Sequence, residues 1–161
     1  MKVRCKILEG KDSQQYRRLR LESLRTHPEC FGAEYQAQHK MPKLYFEQVI
    51  ESDLQNSIMI GAFDNDSLIG LCGLIPTEKH ELEVVQMYVS PLCRGQAVGT
   101  KMLQKAKEIF ESRPERKIIL TTYEANKAAL RVYEKFGFNR VDTSGKEIKM
   151  ALNPKRISAE C

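Results

Sequence analysis

The sequence predicts a single domain of mixed α/β class, in which a central mixed sheet is flanked by helices. Two observations lead to this class. Short apolar segments separated by turn residues occupy residues 57–90 and suggest antiparallel hairpins. A strand, a glycine-containing loop, a helix and another strand follow, and this order implies a parallel crossover. We expect the domain to span residues 1–153, with a loose tail over 154–161.

The chain begins with a predicted strand followed by a helix. Residues 2–8 alternate between apolar and charged side chains, which is typical of a strand. Asp12 is placed to cap the helix, with Gln15 in the capping-box position. The helix should run to about Arg25 and be stopped by Pro28.

A second helix is expected over residues 42–53. Pro42 would lie in its first turn, where proline is tolerated because the missing N–H has no helical partner. One side of this helix should be apolar and face the core; its residues are Leu44, Tyr45, Val49 and Ile50.

The middle of the chain predicts strands over residues 57–63, 68–75 and 81–90. Turn residues at 64–67 and 76–80 separate them. The third of these strands is apolar on both faces. We therefore expect it to lie centrally in the sheet.

The C-terminal part continues with alternating helices and strands. Apolar residues recur at helical spacing over 98–110, and a short buried strand is expected over 117–122. Asn126 can cap a further helix, which Gly137 would end. Two final strands are expected; they cover residues 138–141 and 147–152.

Composition narrows the classes of function. The longest apolar runs fall short of the roughly 18 residues that a membrane span needs, so we expect no membrane association. The five cysteines are scattered without zinc-finger spacing, which predicts reduced thiols, a cytoplasmic location and no metal. The net charge of +5 favours an anionic ligand, either nucleic acid or a phosphate-rich cofactor. No nucleic-acid recognition motif supports the first.

A loop between a central strand and a helix start is suited to binding an anion, because the first helical N–H groups lack internal partners. Gly95 and Gly99 remove side chains that would keep phosphates away, while Arg94 and Lys101 add positive charge. A P-loop requires wider glycine spacing, and a dinucleotide fingerprint requires a third glycine. The plain alternative is a strand-to-helix turn without a ligand.

Two motifs in this order resemble those of the GNAT (GCN5-related) N-acetyltransferases. Arg94-x-x-Ala97-x-Gly99 resembles the loop that holds the pyrophosphate of acetyl-CoA in that family. Asn126-x-x-Ala129-x-x-x-Tyr133, with Gly137-Phe138 after it, resembles the second family signature. The resemblance covers about residues 57–152, and the stretch from 18 to 32 resembles many bacterial members.

Ala97 departs from the family pattern, which usually has glycine at that position. If the position requires close approach of the backbone, the alanine methyl would weaken binding. If the backbone is helical there, alanine costs nothing.

The resemblance implies a GNAT fold and acetyl-CoA as cosubstrate, with no metal. Residues 87–89 should lie along the pantetheine arm, with the Val89 amide polarising the thioester carbonyl. The full set of expected cofactor contacts is Met87, Tyr88, Val89, Arg94, Gly95, Gln96, Ala97, Val98, Gly99, Thr100, Asn126 and Tyr133.

Transfer of an acetyl group to an amine requires a base for the amine proton and an acid for the departing thiolate. By resemblance, Tyr133 is the candidate acid; it could instead be only a core aromatic residue. Glu83 is the candidate base, with Glu81 and His80 as rivals and a solvent-facing charge as the alternative. A covalent acyl-cysteine route through Cys93 or Cys72 is disfavoured, since neither has an obvious histidine partner in sequence.

The sequence therefore predicts an N-acetyltransferase that moves acetyl from acetyl-CoA to a primary amine of a small molecule or peptide, by direct transfer in a ternary complex. The alternatives are a CoA-binding regulatory module without catalysis and a basic nucleic-acid binder. The identity of the acceptor and the choice between monomer and homodimer stay open. Glu22, Glu29 and Glu34 could attract a cationic amine.

Overall fold

The computed structural model describes residues 2–26, 28–52 and 56–152, so the expected C-terminal tail lies outside the described residues. The strands are β1 (Val3–Ile7), β2 (Ile58–Asp64), β3 (Ser67–Pro76), β4 (Glu81–Val89), β5 (Lys117–Tyr123), β6 (Phe138–Ser144) and β7 (Glu147–Leu152). The helices are α1 (Ser13–Arg25), α2 (Pro28–His39), α3 (Tyr45–Glu51), α4 (Val98–Glu111) and α5 (Lys127–Phe136).

The strands form one seven-stranded sheet in the order β1-β2-β3-β4-β5-β7-β6. Neighbouring strands are antiparallel except for β4 and β5, which are parallel and flank the crossover through α4. The mixed sheet is confirmed, and β4 lies at its centre as its apolar pattern predicted.

The parallel pair opens into a gap. β4 and β5 are paired only from Glu81 to Glu83 on β4, and residues 84–89 continue without a partner on that side. The register between β3 and β4 shifts opposite Gln86, which has a φ of 54°. A bulge of this kind bends the strand and increases its twist. Beyond Glu83, the β5 side of β4 is therefore an unpaired edge inside the domain.

The two faces of the sheet bury separate apolar clusters. One cluster packs β2–β5 and β7 against α4 and α5, with Met102 and Leu103 fully buried. The other packs β2 and β3 against α1 and α3 around Tyr16 and Phe46. Leu82 and Val84 belong to the first cluster, so Glu83 between them points toward the helix α1 side.

The N-terminal helices differ from the prediction in two ways. Pro28 does follow the end of α1, but it also begins α2, a helix that the sequence analysis missed. Proline is favoured at the first helical position, so the same residue can end one helix and start another. The side chain of Asp12 does not cap α1; it accepts a hydrogen bond from the Glu9 N–H at 2.9 Å. Gln15 bonds the backbone of Asp66 and Leu68 in the β2–β3 hairpin.

The helix predicted over residues 42–53 is shorter than expected. α3 begins at Tyr45, so Pro42 lies before it, and position 53 lies outside the described residues. Glu47 sets the start, because its carboxylate accepts the Leu44 N–H at 2.8 Å. Phe46 rather than Tyr45 faces the core, since Phe46 is buried while Tyr45 is 47% exposed. None of the helices in the described ranges has the length and apolar character needed to cross a membrane.

Candidate active site

The open edge of β4 presents backbone groups toward the gap. The Ser90 N–H donates to the Ile69 carbonyl of β3 at 2.9 Å. Donors alternate along an antiparallel strand, so the N–H and C=O of Val89 point away from β3. The Val89 carbonyl accepts Arg94 Nε at 3.0 Å. Its N–H points toward the gap, and the predicted role of this amide toward a thioester stays a prediction.

The start of α4 lies at the end of this gap. The Lys101 N–H donates to the Ala97 carbonyl at 3.0 Å as the first helical bond, so the N–H groups of residues 98–100 have no intrahelical partner. The loop before them is exposed from Arg94 to Ala97. Unpaired N–H groups at the positive end of a helix, next to an exposed loop that carries an arginine, are suited to binding an anion.

Gly99 brings three elements of the site together. A side chain at Gly99 would begin 3.4 Å from Met87 Cε on β4 and 3.9 Å from Val132 Cγ1 on α5. The glycine thus lets the start of α4 approach both the gap strand and the helix that carries the second motif. The predicted cofactor residues on β4 and the loop are therefore adjacent in the structure, with α5 beside them.

The conformation of Ala97 excludes one of the two expectations for that position, namely a helical backbone at which alanine costs nothing. Ala97 has φ 61° and ψ 23°, which is the left-handed region and not the right-handed helical one. Residues other than glycine are disfavoured there by about 1–2 kcal/mol. The family's glycine would relieve this strain, so the alanine does have a cost.

Replacement of Ala97 by glycine should stabilise the protein. We expect the free energy of unfolding to rise by about 1 kcal/mol and the melting temperature by roughly 2–4 °C. Thermal unfolding of both proteins measures this. Gln96→Gly is the matched control, because Gln96 lies next to Ala97 without a positive φ, so this change should lower the melting temperature. A lower melting temperature for Ala97→Gly would contradict the inference that the backbone is strained at Ala97.

Helix α5 begins and ends as its motif predicted. The Asn126 side chain accepts the Ala129 N–H at 3.2 Å, which confirms the cap, and Gly137 ends the helix with a φ of 125°. Asn126 itself is exposed at the helix start.

Tyr133 lies in the core on the inner side of α5. It is 7% exposed and packs edge-to-face against Phe138 at 5.9 Å between ring centroids. Burial raises the pKa of the Tyr133 hydroxyl well above its usual value, and the nearby Cys72 acts in the same direction. Tyr133 therefore keeps its proton at neutral pH, as an acid must, and it also serves as a packing residue.

Glu83 lies where the paired part of β4 ends. Its parallel partner is Ile119 on β5, and the gap opens directly beyond this pair. The side chain is half-buried, and within the described ranges its carboxylate has no hydrogen-bond or ion-pair partner. Its rival Glu81 is buried and paired with Lys117 Nζ at 3.3 Å. Of the two carboxylates, Glu83 is the one free to accept a proton.

The thiols give little support to a covalent route. Cys72 is fully buried on β3, and burial raises the pKa of its thiol to about 12. Cys93 is half-buried in the turn before the loop. Among the residues that the structure describes, no three His, Cys, Asp or Glu side chains are grouped to hold a metal ion.

Two polar residues beside β4 have positions that the sequence did not predict, although Glu22 was one of three glutamates expected to attract an amine. Gln86, at the bulge, accepts a hydrogen bond from the buried Tyr16 hydroxyl at 2.7 Å. Glu22 on α1 lies at a cleft of about 330 Å³ beside the end of β4. Local sequence patterns do not indicate that Gln86 adopts a left-handed conformation. Glu22 differs from other surface glutamates only in its contacts with residues far away along the chain.

The fold agrees with comparisons to known proteins. The PaiA N-acetyltransferase from Thermoplasma acidophilum, solved with coenzyme A, superposes with a TM-score of 0.81 at 21% identity, covering 95% of this chain and 99% of that one. A putative streptothricin acetyltransferase from Bacillus anthracis str. Ames, solved with acetyl coenzyme A, has a TM-score of 0.62 at 23% identity over 69% of each chain. At these identities the likeness shows the fold.

Similarity in sequence extends to curated proteins. N-alpha-acetyltransferase 30 of Schizosaccharomyces pombe is 32% identical over 84 residues, which are 49% of this chain and 55% of that protein. The chain thus spans about half the length of this relative. The family model of the acetyltransferase (GNAT) family matches residues 16–138, from α1 to the first residue of β6. Because this match covers most of the chain, the protein belongs to the GNAT acetyltransferase family.

Proposed function

We propose that this protein is an acetyl-CoA-dependent N-acetyltransferase, which transfers acetyl to a primary amine of a small molecule or peptide by direct transfer in a ternary complex. The observation that carries the proposal is the unpaired edge of β4, which leads to the free N–H groups at the start of α4. An extended, hydrogen-bonding arm with a phosphate end matches such a surface in both shape and chemistry.

The described residues fit acetyl-CoA as the cosubstrate. The N–H groups of residues 98–100 and the Arg94 guanidinium would hold the pyrophosphate. The β4 edge from Met87 to Val89 would pair with the amides of the pantetheine arm, as an added strand pairs with a sheet edge. The presence of coenzyme A or acetyl coenzyme A in the two similar structures supports this assignment.

The thioester of acetyl-CoA supplies an activated acyl group, and the residues around the gap direct its use. The Val89 N–H would donate toward the oxygen that gains negative charge, which lowers the barrier. Glu83 would take a proton from the acceptor amine, directly or through a water molecule. Tyr133 would donate its proton to the departing sulfur.

The proposal also places the protein in the cytoplasm, which is a reducing compartment. Cys5, Cys72 and Cys93 are free thiols in the structure. Free thiols persist where glutathione and thioredoxin keep them reduced.

Calorimetric titration with acetyl-CoA tests the proposed function. We expect binding in the micromolar range, together with stabilisation of roughly 2–3 kcal/mol at a hundredfold excess over Kd. Detection of free thiol with a panel of amines should then show transfer. Binding without turnover on any amine would favour the regulatory CoA-binding module. Absence of both heat and stabilisation would mean that the fold is kept while the cosubstrate site is lost.

A further inference from the structure

We propose that Glu22 binds a second, protonated amine of the acceptor, so that the preferred substrate is a diamine or another amine carrying an additional ammonium group. The inference rests on the acetyltransferase function proposed above and names the acceptor class for the same site. It starts from the cleft between the C-terminal end of α1 and the end of β4, which we call the α1–β4 cleft. Its lining residues are Glu22, Thr26, Tyr88, Ser90, Pro91, Leu92 and Cys93.

The α1–β4 cleft borders the cosubstrate gap. Tyr88 and Ser90 line the cleft, while Val89 between them directs its N–H and C=O to the gap. Tyr88 packs on the cluster beneath α1, as expected from alternation, whereas Val89 packs on the cluster beneath α4. The cleft and the gap therefore lie on opposite sides of the same end of β4, and the proposal requires the acceptor to extend around this end toward Val89.

One oxygen of Glu22 is bonded and the other is free. The Tyr88 hydroxyl donates to Glu22 Oε2 at 2.9 Å, and Ser90 Oγ lies 3.5 Å from the same atom. Thr26 Oγ1 donates to the Glu22 backbone carbonyl at 3.0 Å, which holds this end of the helix in place. Glu22 Oε1 accepts no hydrogen bond from any residue in the described ranges.

The carboxylate also lacks a positive partner. No lysine, arginine or histidine within residues 2–26, 28–52 and 56–152 forms an ion pair with Glu22. Arg94 stacks on the Tyr88 ring at 5.7 Å and bonds the Val89 carbonyl. The phosphates of the cosubstrate would neutralise Arg94. A half-buried, oriented carboxylate with a free oxygen is then suited to bind an ammonium group.

The ammonium bound by Glu22 is distinct from the nitrogen that reacts. The reacting nitrogen must lose its proton before it attacks the thioester. A carboxylate in contact would instead favour the protonated form and raise the pKa of the amine. Glu22 can therefore bind a second nitrogen productively, while the first is deprotonated near Glu83.

The rest of the cleft suits a short hydrocarbon linker. Pro91 and Leu92 form one wall, and Leu92 is 95% exposed. Methylene groups joining two amines would cover this apolar surface on binding. A diamine would make both interactions, apolar contact along its linker and one ion pair at its end. It could be a free diamine or the two amines of a lysine residue at a peptide N-terminus.

Steady-state kinetics with matched amines test the proposal. Cadaverine and pentylamine have the same chain length and differ by one amine, and lysinamide carries the diamine in a peptide-like form. We expect the wild-type protein to prefer cadaverine or lysinamide over pentylamine by tenfold or more in kcat/KM. Glu22→Gln should raise KM for the diamine about tenfold and leave both pentylamine turnover and acetyl-CoA binding unchanged. Glu22→Asp, which keeps the charge, should retain part of the preference.

Glu108→Gln is the control, because Glu108 is an exposed glutamate of α4 whose carboxylate is 3.9 Å from Lys105. It should leave the preference unchanged. Equal losses for diamine and monoamine in Glu22→Gln, or no preference in the wild-type protein, would overturn the proposal. The ratio of cadaverine to lysinamide activity distinguishes a free diamine from a peptide-borne one.

Failure of the proposed function has a separate signature. If acetyl-CoA does not bind, cadaverine itself is titrated calorimetrically into the wild-type and Glu22→Gln proteins. Heat that disappears in the variant supports a cation site at Glu22. Equal heats in both, or no heat in the wild-type protein, would overturn it independently of any transfer activity.

Discussion

Tyr133→Phe should lower kcat by roughly 10²-fold while the acetyl-CoA Kd changes little. General acid catalysis contributes about 10²–10⁴-fold, and a thiolate leaves readily enough to place this case at the lower end. The variant removes one oxygen and keeps the ring that packs against Phe138. Stopped assays of thiol release at saturating substrates measure kcat, and calorimetry measures Kd. An unchanged kcat would remove Tyr133 from the mechanism and leave it as a core aromatic residue.

The pH profile sharpens this test. Because burial raises the pKa of Tyr133 above its ordinary value of 10.0, the hydroxyl stays protonated throughout a neutral to mildly alkaline assay range. Wild-type activity should therefore show no alkaline loss from this group below pH 10. Tyr45→Phe is a matched control, since Tyr45 lies on α3 outside the gap and its hydroxyl forms a hydrogen bond of 2.7 Å with Ser57 Oγ. This control should leave kcat unchanged.

Glu83→Gln should lower kcat/KM for the acceptor by about 10²-fold near neutral pH. The glutamine keeps the size of the side chain and loses the ability to take the proton from the amine. The defect should shrink as the pH approaches the pKa of the acceptor amine, about 10.4 for a lysine-like group, because the free amine then exists without a base. Initial rates from neutral to alkaline pH measure this convergence.

The neighbouring carboxylate provides the comparison. Glu81→Gln removes a group that is buried and paired with Lys117, so it should reduce stability more than turnover. If Glu81→Gln abolished turnover in a folded protein and Glu83→Gln did not, the base would be Glu81. If both variants were fully active, His80 or a water molecule without a carboxylate partner would remain as the acceptor of the proton.

Most secondary structure could be predicted because it depends on local patterns. Alternation of apolar residues identified β1, apolar runs between turn residues identified β2 and β3, and the cap at Asn126 and the stop at Gly137 bounded α5. The helical periodicity of α4 and the glycine loop before it are equally local features. The predicted cofactor residues of β4 and the loop lie together because the motif is contiguous across a strand, a turn and a helix start.

The errors arose where distant contacts outweighed local preference. Asp12 was predicted to cap α1, yet it bonds the Glu9 N–H and pairs with Lys6 at 3.2 Å on β1. Helix α3 starts at Tyr45 because the Glu47 carboxylate holds the Leu44 N–H and the Arg17 guanidinium. In each case a side chain from another element supplied a partner that sequence periodicity does not describe.

The sequence by itself determined the class of fold and the family, and it predicted the anion-binding loop, since these depend on residues close together along the chain. The tertiary structure alone decided the conformation of Ala97, the bulge at Gln86 and the place of Glu22. Tyr16 bonds Gln86 across 70 positions, and Tyr88 bonds Glu22 across 66. Such pairs form only when the sheet brings α1 against β4, because hydrogen bonds and ion pairs depend on distance in space and not on order along the chain.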